Sequence, residues 1–510
     1  MIDATGLLRL YARYRGARLA AQDAVETQRR LLLRLLRRAA STRFGRDHDF
    51  REIASIEDFQ ARVPLRRYER MWREYWQPTF PRLTDCTWPG TIPFFALTSG
   101  TTTGATKYIP CSHAMNRSNE WAAFDILVHH LRNRPRSRVL GGKNFVLGGS
   151  TDLTEQSPGI FSGDLSGIAV SQVPWWAWPY CFPPRELALI ADWEQKIERL
   201  ATACLGQDIR TITGTPSWLL IFFERLFALR REWSGDLRRF FPNLELLVHG
   251  GVNFAPYRQR FEELLSGSHA ELREVYPATE GFFAIADRGS GEGMRLILDN
   301  GIFYEFVPVE EMETATPARY WLGTVRPDIT YALVVSSCAG LWAYVVGDTV
   351  RLVGADPPRI LIAGRTSYFL SAFGEHLSGE EIEAAVAAAA QSVGCMIADF
   401  SVGPIFPDAA RHLGRHLFVV EFGARDPSEA QLQAFALALD ARLCHDNDDY
   451  RAHRSGGFGL DAPEVLRVPR GAFAAWMRSR GQLGGQHKVP RVVADPALFR
   501  ELRDFVGTLR

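Results

Sequence analysis

Cysteine is scarce in this 510-residue sequence and occurs in no metal-binding pattern. The seven cysteines are odd in number, widely scattered and never spaced as Cys-x-x-Cys. Such usage argues against both a disulfide framework and a zinc knuckle. We therefore expect a protein of a reducing compartment, the cytoplasm.

A long hydrophobic run is also lacking. The most apolar later stretch, Tyr331–Val346, is interrupted by Ser336, Ser337 and Gly340, which favours a pair of buried strands over a transmembrane helix. The N-terminal residues contain no apolar stretch followed by a small-residue cleavage site, so we expect no secretory leader.

Charge of one sign is not in excess either, since 59 Lys and Arg stand against 58 Asp and Glu. A net charge of +1 offers no global field for nucleic acid or an anionic membrane, and we expect neither as a partner. Residues 16–40 combine arginines with apolar residues at helical spacing, which predicts one amphipathic helix with a solvated basic face.

The order of apolar runs and helical patterns predicts an α/β protein. Between residues 94 and 350, short β-rich runs alternate with longer helical patterns, as in Leu244–Val248 followed later by Ile302–Val307. Two longer segments, Arg185–Leu205 and Ser217–Trp233, predict helices. We expect layered sheets and helices in a large N-terminal domain, residues 1–365, and a small mobile α+β C-terminal domain, residues 366–510, joined by a hinge near Arg365.

The segment from Leu97 to Lys107 has the composition of a phosphate-binding loop. It reads Leu-Thr-Ser-Gly-Thr-Thr-Thr-Gly-Ala-Thr-Lys and follows an apolar, strand-like run. Glycines let backbone N–H groups turn towards an anion, hydroxyls donate further hydrogen bonds, and a lysine supplies a point charge. The lysine is not placed as in a Walker loop. A Ser/Thr/Gly-rich surface loop is the alternative.

Three further segments are typical of nucleotide and metal binding. In Val275-Tyr276-Pro277-Ala278-Thr279-Glu280-Gly281, the tyrosine suits a purine, the threonine a phosphate and the glutamate a hard cation. A capped turn between a strand and a helix explains the same residues. Asp348, after Gly347 at a strand end, suits ribose hydroxyls, and Arg365 suits the same sugar or a phosphate. Each of these two is by itself also an ordinary turn.

A glycine-rich loop near the C-terminus carries Lys488, in the run Gly484-Gly485-Gln486-His487-Lys488. A flexible loop can deliver a lysine to a distant site. The alternative is a solvated, inert lysine.

In this order along the chain, the five segments resemble the adenylate-forming superfamily of acyl-activating enzymes, over residues 90–495. The sequence is most similar to the Gretchen Hagen 3 family of acyl acid–amido synthetases, and the segments 242–257 and 280–287 resemble its bacterial members. Residues 339–348, Ala-Gly-Leu-Trp-Ala-Tyr-Val-Val-Gly-Asp, resemble that family's Ala-Gly-Leu-Tyr-Arg-Tyr-Arg-x-Gly-Asp, and residues 486–491, Gln-His-Lys-Val-Pro-Arg, resemble its Gln-Tyr-Lys-x-Pro-Arg.

The resemblance implies a ligase that adenylates a carboxylic acid with ATP and Mg²⁺ and then transfers the acyl group to an amine, such as an amino acid. It implies Lys488 as the catalytic residue and Glu280 as the metal ligand. It also implies a set of nucleotide-binding residues: Thr98, Ser99, Gly100, Thr101, Thr102, Gly104, Lys107, Gly250, Gly251, Tyr276, Thr279, Asp348 and Arg365.

Two positions of the sequence depart from that pattern. Ala343 and Val345 stand where the plant pattern has arginines, so a charge beside the Gly-Asp is missing. The acyl pocket is expected at an aromatic cluster that could stack on a planar aromatic acid, or could be ordinary core; it consists of Trp175, Trp176, Trp178 and Tyr180, with Trp218 and Phe222 as further members.

Two alternatives to the amide ligase stay open. One is adenylation followed by transfer to a thiol such as coenzyme A. The other is a catalytically silent relative that binds nucleotide or acyl ligand, which the arginine missing at Val345 makes possible. Neither the acid, nor the amine, nor the oligomeric state follows from the sequence.

Overall fold

The computed structural model describes most of the chain. The described residues are 2–98, 106–148, 153–190, 193–251, 254, 257–289, 291–312, 314–327, 329–365, 369–370, 372–375, 377–408, 412–423, 426–455, 459–480 and 489–509. They form two compact units, one of residues 2–98 and 107–365 and the other of residues 369–509.

The first unit contains both helices and strands. Its helices are α1 (Thr5–Ala20), α2 (Ala24–Ala39), α3 (Arg43–Asp47), α4 (Ile56–Arg62), α5 (Tyr68–Met71), α6 (His113–Asn133), α7 (Leu165–Ser171), α8 (Arg185–Ala188), α9 (Trp193–Cys204), α10 (Pro216–Leu229), α11 (Leu237–Phe240) and α12 (Arg258–Leu264). Its strands are β1 (Phe94–Thr98), β2 (Lys107–Cys111), β3 (Lys143–Leu147), β4 (Leu153–Ser157), β5 (Ile160–Gly163), β6 (Cys181–Phe182), β7 (Ile209–Gly214), β8 (Leu246–Gly250), β9 (Glu271–Ala278), β10 (Gly281–Ile285), β11 (Met294–Leu296), β12 (Ile302–Pro308), β13 (Tyr320–Trp321), β14 (Thr330–Ser337), β15 (Tyr344–Ala355) and β16 (Pro358–Arg365).

A large sheet of mixed direction organises this unit. Its strand order among the described residues is β13-β12-β14-β15-β16-β11-β10-β9-β8-β7-β3-β6. The strands from β6 to β9 are parallel, whereas those from β9 to β13 are antiparallel. A smaller sheet has the order β2-β1-β5-β4. The predicted α/β class is confirmed.

The antiparallel half forms the centre of the core. All seven residues of β12 are buried, as are all but the first of β14, so these strands are continuous apolar runs rather than alternating ones. The predicted strand pair within residues 331–346 is confirmed as β14 and β15, which are antiparallel. Gly340, with a φ of 87°, lies in the tight turn between them.

Three predicted segments differ from the structure. The helix expected over residues 16–40 is two helices, α1 and α2, because Asp23 adopts an extended backbone and its side chain accepts a hydrogen bond from the N–H of Glu26, which starts a new helix. Arg185–Leu205 is likewise divided, into α8 and α9. The turn after Tyr276 joins two strands, β9 and β10, instead of a strand and a helix.

The second unit is a small α+β assembly. Its elements are β17 (Phe369–Leu370), β18 (Leu377–Ser378), α13 (Gly379–Ser392), β19 (Ile397–Ile405), β20 (Arg415–Phe422), α14 (Glu429–Asp446), α15 (Asp448–Arg454), β21 (Glu464–Val468), α16 (Ala472–Ser479) and α17 (Pro496–Gly507). The central sheet has the order β19-β20-β21. Ser428 and Gln431 form a capping box that starts α14.

No helix among the residues that the structure describes is long and apolar enough to span a membrane. The predicted domains, an adenylation domain of residues 1–365 and a mobile domain of residues 366–510, stay predictions as to their functions.

One buried ion pair in the core gives a test of the fold. Glu305 lies in the middle of β12 with its side chain fully buried, and Arg319 donates to both of its carboxylate oxygens at 3.0 and 2.9 Å. Arg319→Met leaves Glu305 as an unpaired buried charge, and we expect a loss of about 3 to 5 kcal/mol of unfolding free energy in a denaturant titration. Arg138→Met, which breaks an exposed pair with Asp3, serves as the control. Equal losses in the two variants would contradict this packing.

Candidate functional site

The carboxyl ends of the parallel strands form one edge of the large sheet. Strand β7 ends at Gly214, β8 at Gly250 and β9 at Ala278, and the three strands are neighbours. Ligands of α/β sheets bind beyond this edge. The predicted nucleotide-binding residues Gly250, Gly251 and Thr279 lie at it.

Gly250 and Gly251 are needed for local backbone geometry. A side chain at Gly250 would place its Cβ 2.4 Å from the carbonyl oxygen of Val275 on the neighbouring strand, so only glycine fits. Gly251 has a φ of 87°, a conformation that favours glycine. The edge of the sheet therefore presents bare backbone at this point, as a close-approaching nucleotide requires.

The residue before these glycines, His249, is fully buried. Both of its ring nitrogens have no hydrogen-bond partner among the described residues, and the ring stacks on Phe254 with centroids 3.5 Å apart. Burial, aided by the charge of Arg258, lowers the pKa of His249 to about 3. The imidazole is therefore neutral, and it leaves polar atoms beside the glycine backbone.

Tyr276 and Asp348 connect two strands that are far apart in the strand order. The hydroxyl of Tyr276 donates a hydrogen bond to the Asp348 carboxylate. In a flat sheet, β9 and β15 would lie about 19 Å apart, four strand spacings of about 4.8 Å. The sheet must therefore curl until the two strands face each other, and this brings the predicted purine and ribose residues together.

The ring of Tyr276 itself is buried. It is 4% exposed and packs edge-on against Phe283, with centroids 5.0 Å apart. The predicted role of Tyr276 at the adenine stays a prediction, while the structure adds a role for its hydroxyl at Asp348.

Thr279 and Glu280 occupy the turn between β9 and β10. The Thr279 hydroxyl donates to the Glu280 carboxylate at 2.8 Å, and Glu280 is 7% exposed. Burial raises the pKa of Tyr344 well above its usual value, and the nearby carboxylates of Glu280 and Glu69 add to the shift. Two carboxylates therefore face the same buried phenol.

The protein side chains at this turn fit Mg²⁺ only if a bound phosphate ligand supplies further oxygen atoms. Among the residues that the structure describes, no three His, Cys, Asp or Glu side chains gather in a metal-binding cluster. In proteins, Mg²⁺ is commonly held by one or two carboxylates together with water and substrate phosphates. Glu280 fits such a set as its one carboxylate, and its role as a metal ligand stays a prediction.

Asp348 and Arg365 are paired residues of two neighbouring strands. The antiparallel pairing of β15 and β16 places the two residues directly opposite each other. Gly347, with a φ of 100°, precedes Asp348. The backbone therefore supports a shared site for these two residues, although their role at the ribose stays a prediction.

Thr98 and Lys107 close the predicted phosphate loop. They are paired residues of the antiparallel strands β1 and β2, so the loop between them begins and ends at one point. The predicted strand before the loop is thus confirmed as β1. The remaining predicted members of the loop, and the catalytic lysine, lie outside the described residues; they are Ser99, Gly100, Thr101, Thr102, Gly104 and Lys488.

Helix α5 contributes two residues that the sequence analysis missed. The Lys107 ammonium lies 2.9 Å from the Glu69 carboxylate and 4.9 Å from the centroid of the Tyr68 ring. The hydroxyl of Tyr68 accepts the N–H of Tyr108 at 2.9 Å. A single glutamate in a short helix gives no sequence pattern, so only the fold discloses these contacts.

The two departures from the family pattern lie in the core. Ala343 and Val345 are buried, and their backbones pair with Arg66, whose N–H donates to Ala343 at 3.0 Å and whose carbonyl accepts from Val345 at 2.9 Å. The Arg66 guanidinium is itself buried, 3.0 Å from the carboxylate of Glu74. The backbone at these two positions is thus tied to the Arg66 segment.

The predicted acyl pocket divides into two kinds of residue. Phe222 on α10 is fully buried, and its ring centroid lies 4.8 Å from that of Phe145. Phe222 is therefore a core residue, as the alternative interpretation expects. Trp175 and Trp176 are instead 83% and 55% exposed, so the core explanation is wrong for them. Trp178 and Trp218 are half-buried. Stacking of these tryptophans on an acid stays a prediction.

Lysine is used at only four positions, 107, 143, 196 and 488, in a chain with 59 basic residues. Arginine is therefore the more common cation of this chain. Lys196 is 2% exposed and donates to the carbonyl of Gly148, just beyond β3, at 3.2 Å. Burial lowers the pKa of Lys196 to about 8.

Three domain models of one protein family match this chain. Residues 14–163 and 151–270 match the GH3 family N-terminal domain, residues 295–365 the GH3 family central domain, and residues 380–497 the GH3 family C-terminal domain. The chain belongs to the GH3 family. The expected family is thus confirmed, whereas its bacterial type stays a prediction.

Two curated relatives of this GH3 protein are plant proteins. It is 24% identical over 331 residues to the indole-3-acetic acid-amido synthetase GH3.3 of Arabidopsis thaliana, covering 60% of this chain and 55% of that protein. It is 26% identical over 306 residues to the probable indole-3-acetic acid-amido synthetase GH3.9 of Oryza sativa subsp. japonica, covering 55% and 67%. The matched part thus spans about half to two thirds of these relatives.

Solved structures share the fold of this GH3 protein. The AtGH3.15 acyl acid amido synthetase in complex with 2,4-DB has a TM-score of 0.60 at 18% identity and covers 98% of this chain and 96% of its own. A 2-hydroxyisobutyryl-CoA ligase in complex with its acyl-AMP and CoA also has a TM-score of 0.60 at 18% identity, covering 96% and 94%.

Removing the Tyr276 hydroxyl tests the contact with Asp348. Tyr276→Phe keeps the buried ring but takes away the donor that orients the Asp348 carboxylate. We expect ATP to bind roughly 3- to 10-fold more weakly, the effect of one hydrogen bond, and the preference over 2′-deoxy-ATP to shrink, in calorimetric titrations. Tyr331→Phe, which removes a tyrosine hydroxyl that donates to the Arg326 backbone, is the control. Unchanged ATP binding by Tyr276→Phe would contradict the arrangement.

The buried Lys196 predicts a pH-dependent stability. Its pKa is about 8 in the folded chain against an ordinary 10.5, so between these values the unfolded chain binds more protons and stability rises with pH. Below about pH 8 the buried charge costs stability in full. Lys196→Met should therefore raise the thermal midpoint at pH 7, and the gain should shrink towards pH 10.5. A variant that is less stable than the wild type at both pH values would contradict the shift.

Proposed function

We propose that this GH3 protein adenylates a carboxylic acid with ATP and transfers the acyl group to an amine, forming an amide. The observation that carries the proposal is the curl of the sheet, which brings Tyr276 to Asp348 at the edge where Thr279 and Glu280 lie. Membership of the GH3 family and the similarity to plant amido synthetases support the same reaction.

In the first step, a carboxylate oxygen attacks the α-phosphorus of ATP, the bond to the β-phosphate breaks, and pyrophosphate leaves. Asp348 and Arg365 hold the ribose, Gly250 and Gly251 let the adenine approach the backbone, and Thr279 donates to the α-phosphate. Lys107 and the loop that begins at Thr98 hold the outer phosphates. Mg²⁺ held at Glu280 would supply charge neutralisation on the phosphates.

In the second step, the amine nitrogen attacks the acyl carbon, the bond to AMP breaks, and the nitrogen gives up a proton. Lys488, on the C-terminal part of the chain, acts in the first step, where it supplies positive charge to the α-phosphate as negative charge gathers there. The exposed tryptophans Trp175 and Trp176 are candidates to contact an aromatic acid.

The transfer of label from pyrophosphate to ATP tests adenylation directly. We expect radiolabelled pyrophosphate to enter ATP only when a suitable carboxylic acid is present, because the first step is reversible. The alternative of transfer to coenzyme A gives the same exchange but a thioester product, whereas a silent relative gives none. Absence of exchange across a broad panel of aromatic and aliphatic acids would contradict the proposal.

Lys488→Ala tests the catalytic lysine. We expect acid-dependent exchange to fall by at least a hundredfold, because the α-phosphate loses a charge in the transition state. Circular dichroism and the thermal midpoint should be unchanged, since a loop lysine contributes little stability. Lys143→Ala, which removes the lysine at the start of β3, is the matched control. Near-normal exchange by Lys488→Ala would remove that residue from the mechanism.

Glu280→Gln tests the metal site. We expect the Mg²⁺ concentration for half-maximal exchange to rise severalfold, because a neutral amide is a weaker ligand for a hard cation. Glu57→Gln, an exposed glutamate on α4, is the control. An unchanged metal requirement would exclude Glu280 as a ligand.

A further inference from the structure

Lys107 is held between two side chains of helix α5. Its ammonium is 2.9 Å from the Glu69 carboxylate and 4.9 Å from the centroid of the Tyr68 ring. The first residue of α5 is Tyr68, so both partners lie in one helical turn. The lysine at the end of the predicted phosphate loop is thus paired before any ligand arrives.

The two partners of Lys107 differ in how firmly they are fixed. Tyr68 is 8% exposed, and its ring lies 5.8 and 5.9 Å from the rings of Trp72 and Trp76. The side chain of Glu69 is instead 50% exposed, against 14% for that of Lys107. An ion pair this open to water is weak and exchangeable, and its loss shifts an affinity by only a few-fold. Of the two partners, the Tyr68 ring is the more buried.

Glu69 also places a negative charge where phosphates are expected. Both Glu69 and Glu280 contribute to the raised pKa of the buried Tyr344 phenol, after burial itself. Glu69 on α5 and Glu280 in the β9–β10 turn therefore both act on the same buried phenol. A polyphosphate that binds Lys107 must displace the Glu69 carboxylate from the ion pair.

We propose that Glu69 is a positioning residue that competes with phosphates for Lys107. In the free protein Glu69 pairs with Lys107. When ATP binds, a phosphate replaces Glu69 in this pair, and when pyrophosphate leaves, the pair of Lys107 with Glu69 forms again. The proposal rests on the proposed adenylation. No bond is made or broken in this exchange, only one ion pair for another. Glu69 thereby lowers the affinity for pyrophosphate and favours its release.

Glu69→Gln separates this function from a purely structural one. The amide keeps the shape of the side chain and removes its charge, while Tyr68 still holds the lysine. We expect pyrophosphate and ATP to bind roughly 2- to 5-fold more tightly in calorimetric titrations, whereas damage to the site would weaken both. Glu57→Gln, which removes an exposed charge elsewhere, should leave both affinities unchanged.

A double-mutant cycle tests whether the effect passes through Lys107. In the Lys107→Gln background, Glu69→Gln should change the pyrophosphate affinity by less than twofold, because the competing pair is already absent. Equal or weaker binding by Glu69→Gln, or the same tightening in both backgrounds, would overturn the role of Glu69. A wild-type protein that binds neither ATP nor pyrophosphate would instead overturn the proposed function, and this role with it.

Discussion

The candidate site depends on the curl of one sheet. Tyr276 on β9 and Asp348 on β15 are hydrogen-bonded although three strands separate them in the sheet order. The parallel half of the sheet supplies an edge with bare glycine backbone, and the antiparallel half supplies the carboxylate at Asp348. Neither half alone contains the full set of residues. Loss of the curl would therefore separate the predicted purine, ribose and metal residues without changing any of them.

The polar side chains of the candidate site differ in their burial, and this determines which of them are held in place and which ion pair a ligand can replace. His249 is buried and neutral beside Gly250, and Glu280 is nearly buried, so these groups are held in place before a ligand binds. The pair of Lys107 with Glu69 is half-open to water and thus replaceable. Such a division suits a site that binds a highly charged nucleotide and later releases pyrophosphate.

Much of the fold follows from the sequence, because buried strands are apolar runs and their ends carry glycine. The runs at Ile302–Val307 and Ala332–Val335 are the interiors of β12 and β14. The single long helix over residues 16–40 is wrong, since a one-residue cap at Asp23 outweighs an otherwise continuous helical pattern. At the candidate site, short motifs predict Asp348, Thr279 and Glu280, but not Tyr68 and Glu69. Their position arises from packing between distant segments, which a local pattern does not encode.

The identity of the product tests the account most directly. The protein would be incubated with ATP, Mg²⁺, an acid that supports exchange and a mixture of amino acids and coenzyme A, and the products would be measured by mass spectrometry. The account predicts an amide of the acid with one amine, formed in equal amount to AMP. A thioester as the sole acyl product, or AMP formation with no acyl product in the presence of every amine tested, would contradict it.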